Sequence, residues 1–471
     1  MAAISSLGVG SGLDLGGLLD QLEKAERMKL GPITAQKKTQ QSKLSAYGRL
    51  KSALSSLQNA AAKLNDSKTF QGVTSSISGS GISAEAKSEA VVGRYAIRVD
   101  SLAQAQSLAM ATGVADRTTN LGGGSLSITV GSGDAAKTMS IELADNASSL
   151  EKVRDAINKA NGGVSASIIN DGSDTPHRLV LTSTATGKAS EMTVSFTPAE
   201  GSEDGELAGL LGFGYDAEGV GSGAMTQTVA AANAKLTVNG IEITSQSNVV
   251  EGAVQGVTLS LSEAGSSQTL TVARDNAAIK SAVTGFVSAW NSLQGTMASL
   301  TSYNADTQVA GDLLGDATLR GAQSQLRNVL TATLGEGALS RLADIGIDLE
   351  LKGTLKLDEA KLDSLISGNL PALNQFFAGS DKDGGLAGQL NKALDGILKD
   401  GGALANVSKG IESRVKALDE RFARGEESIA ATIERYRKQF TQLDLMLSQM
   451  NSTTAYLTQQ FDALNTQLRG R

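Results

Sequence analysis

The sequence predicts an α+β multidomain fold, in which helical N- and C-terminal segments come together around an inserted β-rich middle. Three observations carry this. Apolar residues recur every three or four positions at both ends of the 471-residue chain, the period of an amphipathic helix. Residues 72–275 instead alternate apolar and polar side chains in short runs separated by Gly, Ser and Asn, the pattern of half-buried strands joined by turns. Only four prolines occur, Pro32, Pro176, Pro198 and Pro371, so both ends are free to form long helices.

In chain order, residues 1–12 are rich in Gly and Ser and are expected to lack fixed structure in isolation. Leu15, Leu18, Leu22 and Ala25 then share one helical face, with Asp14 placed to cap the helix or meet its dipole. Pro32, following Gly31, interrupts that helix. A second helix carries Leu44, Tyr47, Leu50, Leu54, Leu57, Ala61 and Leu64. The middle reads as strands such as "RYAIRVDSL", "SLSITV", "HRLVLTST", "AKLTVNGIEIT" and "SQTLTVA". One helix interrupts them, "SSLEKVRDAINKANGG", with a Ser148–Glu151 capping box and a stop at Gly162. The glycine-rich stretch between about 200 and 228 reads as a mobile connector.

Helical spacing returns at about Asn276 and continues through "ATLRGAQSQLRNVLTATL". "GIDLELKGTLKLDEAKL" reads as a small hairpin leading into another helix. From Ile411 to Leu468 the apolar steps alternate four and three, except for two consecutive fours around Ile429. This is a heptad pattern with one stutter.

Composition narrows the chemistry. Cysteine is absent and His177 is the one histidine, which removes disulfides, thiolate nucleophiles, multi-histidine metal sites and most triads. No constellation of acid, base and nucleophile emerges, so the chain is read as a non-enzyme with no catalytic residue, no metal and no cofactor. A net charge of −7 gives no basic footprint for nucleic acid. No apolar run is long enough to insert in a membrane, and the start lacks the basic and apolar regions of a signal peptide. Several short features take plain readings. "GVGSGLDLG" has no preceding strand and no third glycine, so it is a lead-in to a helix rather than a nucleotide loop. "DKDGG" (381–385) is a turn rather than a Ca²⁺ loop, because Lys392 stands where the twelfth-position Glu belongs. His177 is a surface side chain, Trp290 a packing anchor, and the charges of 419–438 a solvated helix flank.

A helix from Ile411 to Leu468 is about 85–90 Å long at 1.5 Å per residue. Its apolar stripe covers on the order of 900 Å², more than a monomer ordinarily leaves exposed. Before residue 440 the expected cover is the N-terminal helices of the same chain. Beyond it those helices run out, and the stripe is expected to meet other chains.

The residues then resemble a known family, the flagellar filament cap or hook-associated protein 2 family, along essentially the whole chain. "LGVGSGLDLGGLLDQLEKAE" (7–26) is similar to its N-terminal block, with Gly10, Gly12, Leu13 and Asp14 at the heart. Residues 147–187 resemble a repeat shared by flagellins and cap proteins. "GDATLRGAQSQLR", "LADIGIDLELKGTLKLDEAKL" and "FFAG" are similar to the family's C-terminal region, and "YRKQFTQLDLMLSQMNSTTAYLTQQ" to its terminal signature. Gly425 departs from the pattern and bears on the continuity of the terminal helix.

The resemblance implies a leg of paired terminal helices and a plate of β-domains. It divides the chain into terminal coiled-coil segments (1–43 and 405–471), a helical leg domain (44–71 and 276–404), a β-rich head (72–111 and 229–275) and an inserted β-rich subdomain (112–228). It implies a structural cap at the distal tip of the bacterial filament, secreted through the flagellar channel without a signal peptide. The cap keeps exported flagellin from leaking away and promotes its folding and polymerisation. Implied partners are four or five further copies of itself in a homo-oligomer of five or six, flagellin, the hook–filament junction proteins and an export chaperone. Alternatives are a tip adhesin that binds host mucin or glycans, and another axial protein such as a hook–filament junction protein. The candidate assembly residues are Leu13, Leu15, Leu18, Leu19 and Leu22 at the start. At the end they are Leu443, Leu447, Met450, Tyr456, Leu457, Phe461, Leu464 and Leu468.

Overall fold

A computed structural model describes residues 12–201, 205–265, 267–334, 338–381 and 383–469, with side chains as far as Asn465 at the C-terminal end. The expectation for residues 1–11 lies outside the described residues. The chain forms two compact units: Met1–Phe70 with Asn276–Arg471, and Gln71–Asp275.

The first unit is helical. Helix α1, Leu15–Met28, starts at Asp14, whose Oδ1 accepts the Gly17 N–H at 2.8 Å; this satisfies one orphan donor of the first turn. It ends at Met28, and α2, Gly31–Asn65, begins with Pro32 in its first turn, where the missing N–H costs no helical bond. The predicted stripe of α2 is fully buried at Leu50, Leu54, Leu57 and Leu64. It packs on the helix Asn276–Thr301 through Phe286, Trp290 and Leu293 in one core. Phe377 stands at the centre of that core, its ring 5.1 Å from Phe376, 6.2 Å from Phe70 and 6.5 Å from Phe286. The hairpin Ile347–Leu349 with Leu355–Leu357 leads into the helix Glu359–Gly368. Its turn is fastened by Trp290 Nε1, which donates to the Gly353 carbonyl at 2.8 Å. A single terminal helix, Ala403–Arg469, closes the unit. It runs unbroken through Gly425.

The second unit is antiparallel β-structure in two lobes. A five-stranded sheet, in the order 73–77, 267–274, 93–101, 234–238, 241–245, and a three-stranded sheet, 249–254, 257–261, 82–86, share one core. The other lobe is an insertion. It combines a four-stranded sheet (225–229, 107–110, 177–183, 164–170) and a three-stranded sheet (137–143, 124–130, 192–198) with the helix Leu150–Ala160. Leu108 and Met110 belong to this inserted core, so the chain crosses between lobes near 103–107 rather than at 111/112.

Three local expectations differ. The N-cap of Leu150–Ala160 is Ser149, whose side chain accepts the Lys152 N–H, and the stop is Asn161 in the left-handed region. Ser148 is buried and accepts the Leu121 and Gly122 N–H groups at 3.0 Å each. Of the connector expected at 200–228, the described residues 205–228 are folded: Leu207, Leu210, Leu211 and Phe213 are buried in the inserted core. His177 is half-buried at the start of a strand, and its N–H and carbonyl both pair with Val114.

Candidate assembly surface

The terminal helix has two differently clothed halves. Its first half packs inside the chain. Ile411 joins the main core, and Ile429 and Ile433 bury against Leu19 and Leu30, flanked by Leu22, Ile33, Phe422, Tyr436 and Phe440. The stutter at Ile429 thus coincides with the junction of α1 and α2, where the partner helix itself breaks. Gly425 lies against Leu30: a Cβ there would stand 2.5 Å from Leu30 Cδ2. The glycine makes room for the leucine. Charges on the flank tie the helices within one chain, as Arg27–Glu426 at 3.4 Å and the Lys37–Asp419 pair; exposed pairs of this kind are screened by water and contribute little.

From Thr441 to Asn465 no residue is buried. Leu443 is 40% exposed, Met450 56%, Leu457 48%, Phe461 63% and Leu464 52%, and Leu447 is half-buried. At about 100° per residue these six fall within about 60° of one line along the helix. Met446, which sequence reasoning passed over, stands on the same line, one turn from Met450. The signal was its i+3 and i+4 spacing to Leu443 and Met450. Tyr456 and Leu445, both exposed, project about 220° and 200° round the helix from Leu443. Tyr456 is therefore off the stripe, and its hydroxyl instead lies 3.3 Å from Gln460 Nε2.

The polar residues beside the stripe are of an unusual kind. Acid and base alternate through 419–438, whereas between Thr441 and Asn465 the only charged side chains are Asp444 and Asp462. Thr453, Thr454 and Thr458, on or next to the stripe, donate their hydroxyls to the carbonyls four residues back at 2.8–2.9 Å. Hydroxyls bonded to their own helix lose little when water is removed. This half of the helix is thus inexpensive to bury, and its own chain does not bury it.

At the start of the chain, Leu15 and Leu19 are buried, Leu22 is half-buried on the same face, and Leu13 and Leu18 are exposed. Leu15, Leu19 and Leu22 are occupied within the chain; Leu13 and Leu18 are accessible. The side chain of Leu468 lies outside the described residues. Among the described residues no group of acidic, histidine or cysteine side chains could hold a metal ion. In the segment 381–385, of which residue 382 lies outside the described residues, Asp381 Oδ1 accepts the Asp383 N–H at 3.0 Å. A concavity of about 610 Å³ on the inserted lobe is lined by Thr112, Val114, Asp116, Thr175, Glu206 and Leu210 among others, and none of its described lining residues is aromatic.

Comparison with known proteins agrees along the chain. Residues 11–106 match the sequence profile of the flagellar hook-associated protein 2 N-terminus, 231–452 that of its C-terminus, and 125–185 the flagellin hook IN motif. The chain is 38% identical to the flagellar hook-associated protein 2 of Escherichia coli K12 over 98% of its own length and 99% of the relative's. It is 36% identical to that of Xenorhabdus nematophila over 98% and 99%. The crystal structure of the flagellar cap protein FliD D1-D2-D3 domains from Escherichia coli superposes with a TM-score of 0.67 at 36% identity, over 78% of this chain and 99% of that one.

Proposed function

The chain belongs to the flagellar hook-associated protein 2 family, and on that premise we propose that it engages its neighbours in the flagellum through the unpartnered half of its terminal helix. It is a structural filament cap at the distal tip of the bacterial flagellar filament. A cap in that place prevents leakage of exported flagellin and promotes its folding and polymerisation.

One observation carries the assignment of the surface. The stripe from Leu443 to Leu464 is apolar, exposed and nearly free of charge, and the threonines beside it are satisfied by their own helix. Covering one large apolar side chain contributes about 1.5–3 kcal/mol, so several together favour association strongly. The occupants are neighbouring copies of this chain, five or six in all, and flagellin at the filament end. Leu13 and Leu18 add apolar surface at the chain's other end. Hook–filament junction proteins and an export chaperone complete the set of partners. The route to the tip is the flagellum's own channel. No helix among the described residues is long and apolar enough to cross a membrane.

Deleting the gene in its parent bacterium tests the cap. Abundant monomeric flagellin in the medium around cells without filaments, reversed by the full chain, is the expected result. Normal filaments without leakage would overturn it.

A further inference from the structure

The inserted lobe of the β-rich unit joins the other lobe through two crossing segments, near 103–107 and 229–234. There Gln104 and Ala232 exchange backbone bonds, at 2.8 and 3.2 Å. Two adjacent strands form a ribbon, and a ribbon by itself bends like a hinge. A third connection spans the same junction. The loop 184–190, between two strands of the inserted lobe, lies on the loop 245–248 of the other lobe. Thr186 Oγ1 donates to the Gln246 carbonyl at 2.8 Å, and the Ala189 N–H donates to Gln246 Oε1 at 3.0 Å. The Lys188 N–H donates to Asn233 Oδ1 at 2.7 Å, and the Gly187 N–H to the Gln104 carbonyl at 3.0 Å.

Gly187 makes this approach possible in two ways. Its φ of 90° and ψ of 160° lie in a region that is essentially closed to residues with a Cβ. A Cβ there would also stand 2.6 Å from the Gln246 carbonyl oxygen and 2.8 Å from its Cα, backbone atoms that cannot swing aside. The loop is stiffened behind the contact. Ser190, buried, donates its hydroxyl to the Gly187 carbonyl at 2.7 Å, and Ser183, also buried, donates to the Ala185 carbonyl at 2.9 Å. On the opposite side Asn248 brackets Ala103, accepting its N–H at 2.7 Å and donating to its carbonyl at 2.9 Å.

We propose that the 184–190 loop is a clamp, seated on Gln246 through Gly187, that locks the two lobes of the β-rich unit into one rigid body. The lobes have separate cores, so releasing the clamp frees their orientation without unfolding either. This holds whatever the unit contacts in the flagellum, because it concerns the geometry of a single chain.

The absence of native cysteine allows a direct test. Spin labels are placed on the full chain at Ser167→Cys in the inserted lobe and Glu242→Cys in the other, both exposed strand positions. Pulsed electron–electron resonance then reads the distance distribution. The native background is expected to give one narrow distance, and Gly187→Val a broad or displaced one, with unchanged far-UV circular dichroism. The paired variant Thr186→Val with Gln246→Ala removes two of the bonds without adding bulk, and is expected to broaden the distribution as well; it decides the matter if Gly187→Val does not fold. A broad distribution in the native background, or one that stays narrow in the paired variant, would overturn the clamp.

Discussion

Leu30 occupies the space that a side chain on Gly425 would take: its Cδ2 lies 2.5 Å from where a Cβ would be. Leu30 sits at the break between the first two helices, and Gly425 in the middle of the terminal one. A glycine inside a helix costs about 0.5–1 kcal/mol relative to alanine, and here that cost is exchanged for a buried leucine that seats the break. Gly425 is therefore part of the packing, and the terminal helix stays continuous through it.

Gly425→Val displaces Leu30 and is expected to weaken the docking of residues 15–33 by about 1–3 kcal/mol. Amide exchange should quicken in 15–33 and 420–436 while residues 46–64 stay protected. Gly410, in the same helix, faces open space, so Gly410→Ala should instead stabilise the helical unit by about 0.5–1 kcal/mol. Chemical denaturation of the two variants checks both signs.

Tyr47, on the second helix, donates its hydroxyl to Asp316 Oδ2 at 2.6 Å, and Asp316 also caps the helix Ala317–Thr331 by accepting the Leu319 N–H at 2.9 Å. Burial first, and the Asp316 carboxylate second, raise the phenol well above its ordinary value. A raised value stabilises the fold fully below the unfolded phenol's titration, near pH 10, and the contribution fades as pH climbs from there towards the folded value. Tyr47→Phe should cost about 1–2 kcal/mol at neutral pH. The gap between the two proteins should narrow above about pH 10, as read by urea midpoints across that range.

Asn291 holds the hairpin turn beside the single tryptophan. Its amide donates to the Leu355 carbonyl at 2.8 Å, and its Oδ1 accepts the Leu355 N–H at 2.7 Å. Asn291→Ala leaves both backbone groups without these partners, at a cost of about 1–3 kcal/mol. Trp290 emission should shift to longer wavelength as water reaches the Gly353 contact, and with no second tryptophan in the chain the shift is unambiguous.

Much of this was legible in the sequence, because helical and strand periodicities differ and each is set by what one face must bury. The stripes of α2 and of the terminal helix appear where their spacing puts them. Adjacent serines defeated the cap assignment: both Ser148 and Ser149 precede the helix, and only the fold shows that Ser148 turns inward to Leu121 and Gly122. Glycines around Leu207–Phe213 give the stretch the pattern of a connector, whereas its leucines and phenylalanine determine its place in the core. Tyr456 adjoins Leu457 in the sequence, yet its position about 220° from Leu443 separates it from the stripe. Gly425 looked like a weak point because its reason, Leu30, is about four hundred residues away in the chain.

One face of the terminal helix, from Leu443 to Leu464, is the proposed assembly surface, and the opposite face supplies the control. Phe461→Asp, on the stripe, and Leu445→Asp, about 200° round the helix from Leu443, each place a carboxylate on an exposed apolar position. Both variants should fold as the parent does, since neither residue is buried in its own chain. Each is expressed in the deletion strain, and flagellin shed into the medium is measured against filament on the cells. Heavy shedding and few filaments are expected for Phe461→Asp, and near-parental filaments for Leu445→Asp. Parental behaviour of Phe461→Asp at equal secretion, or equal failure of the two, would contradict it.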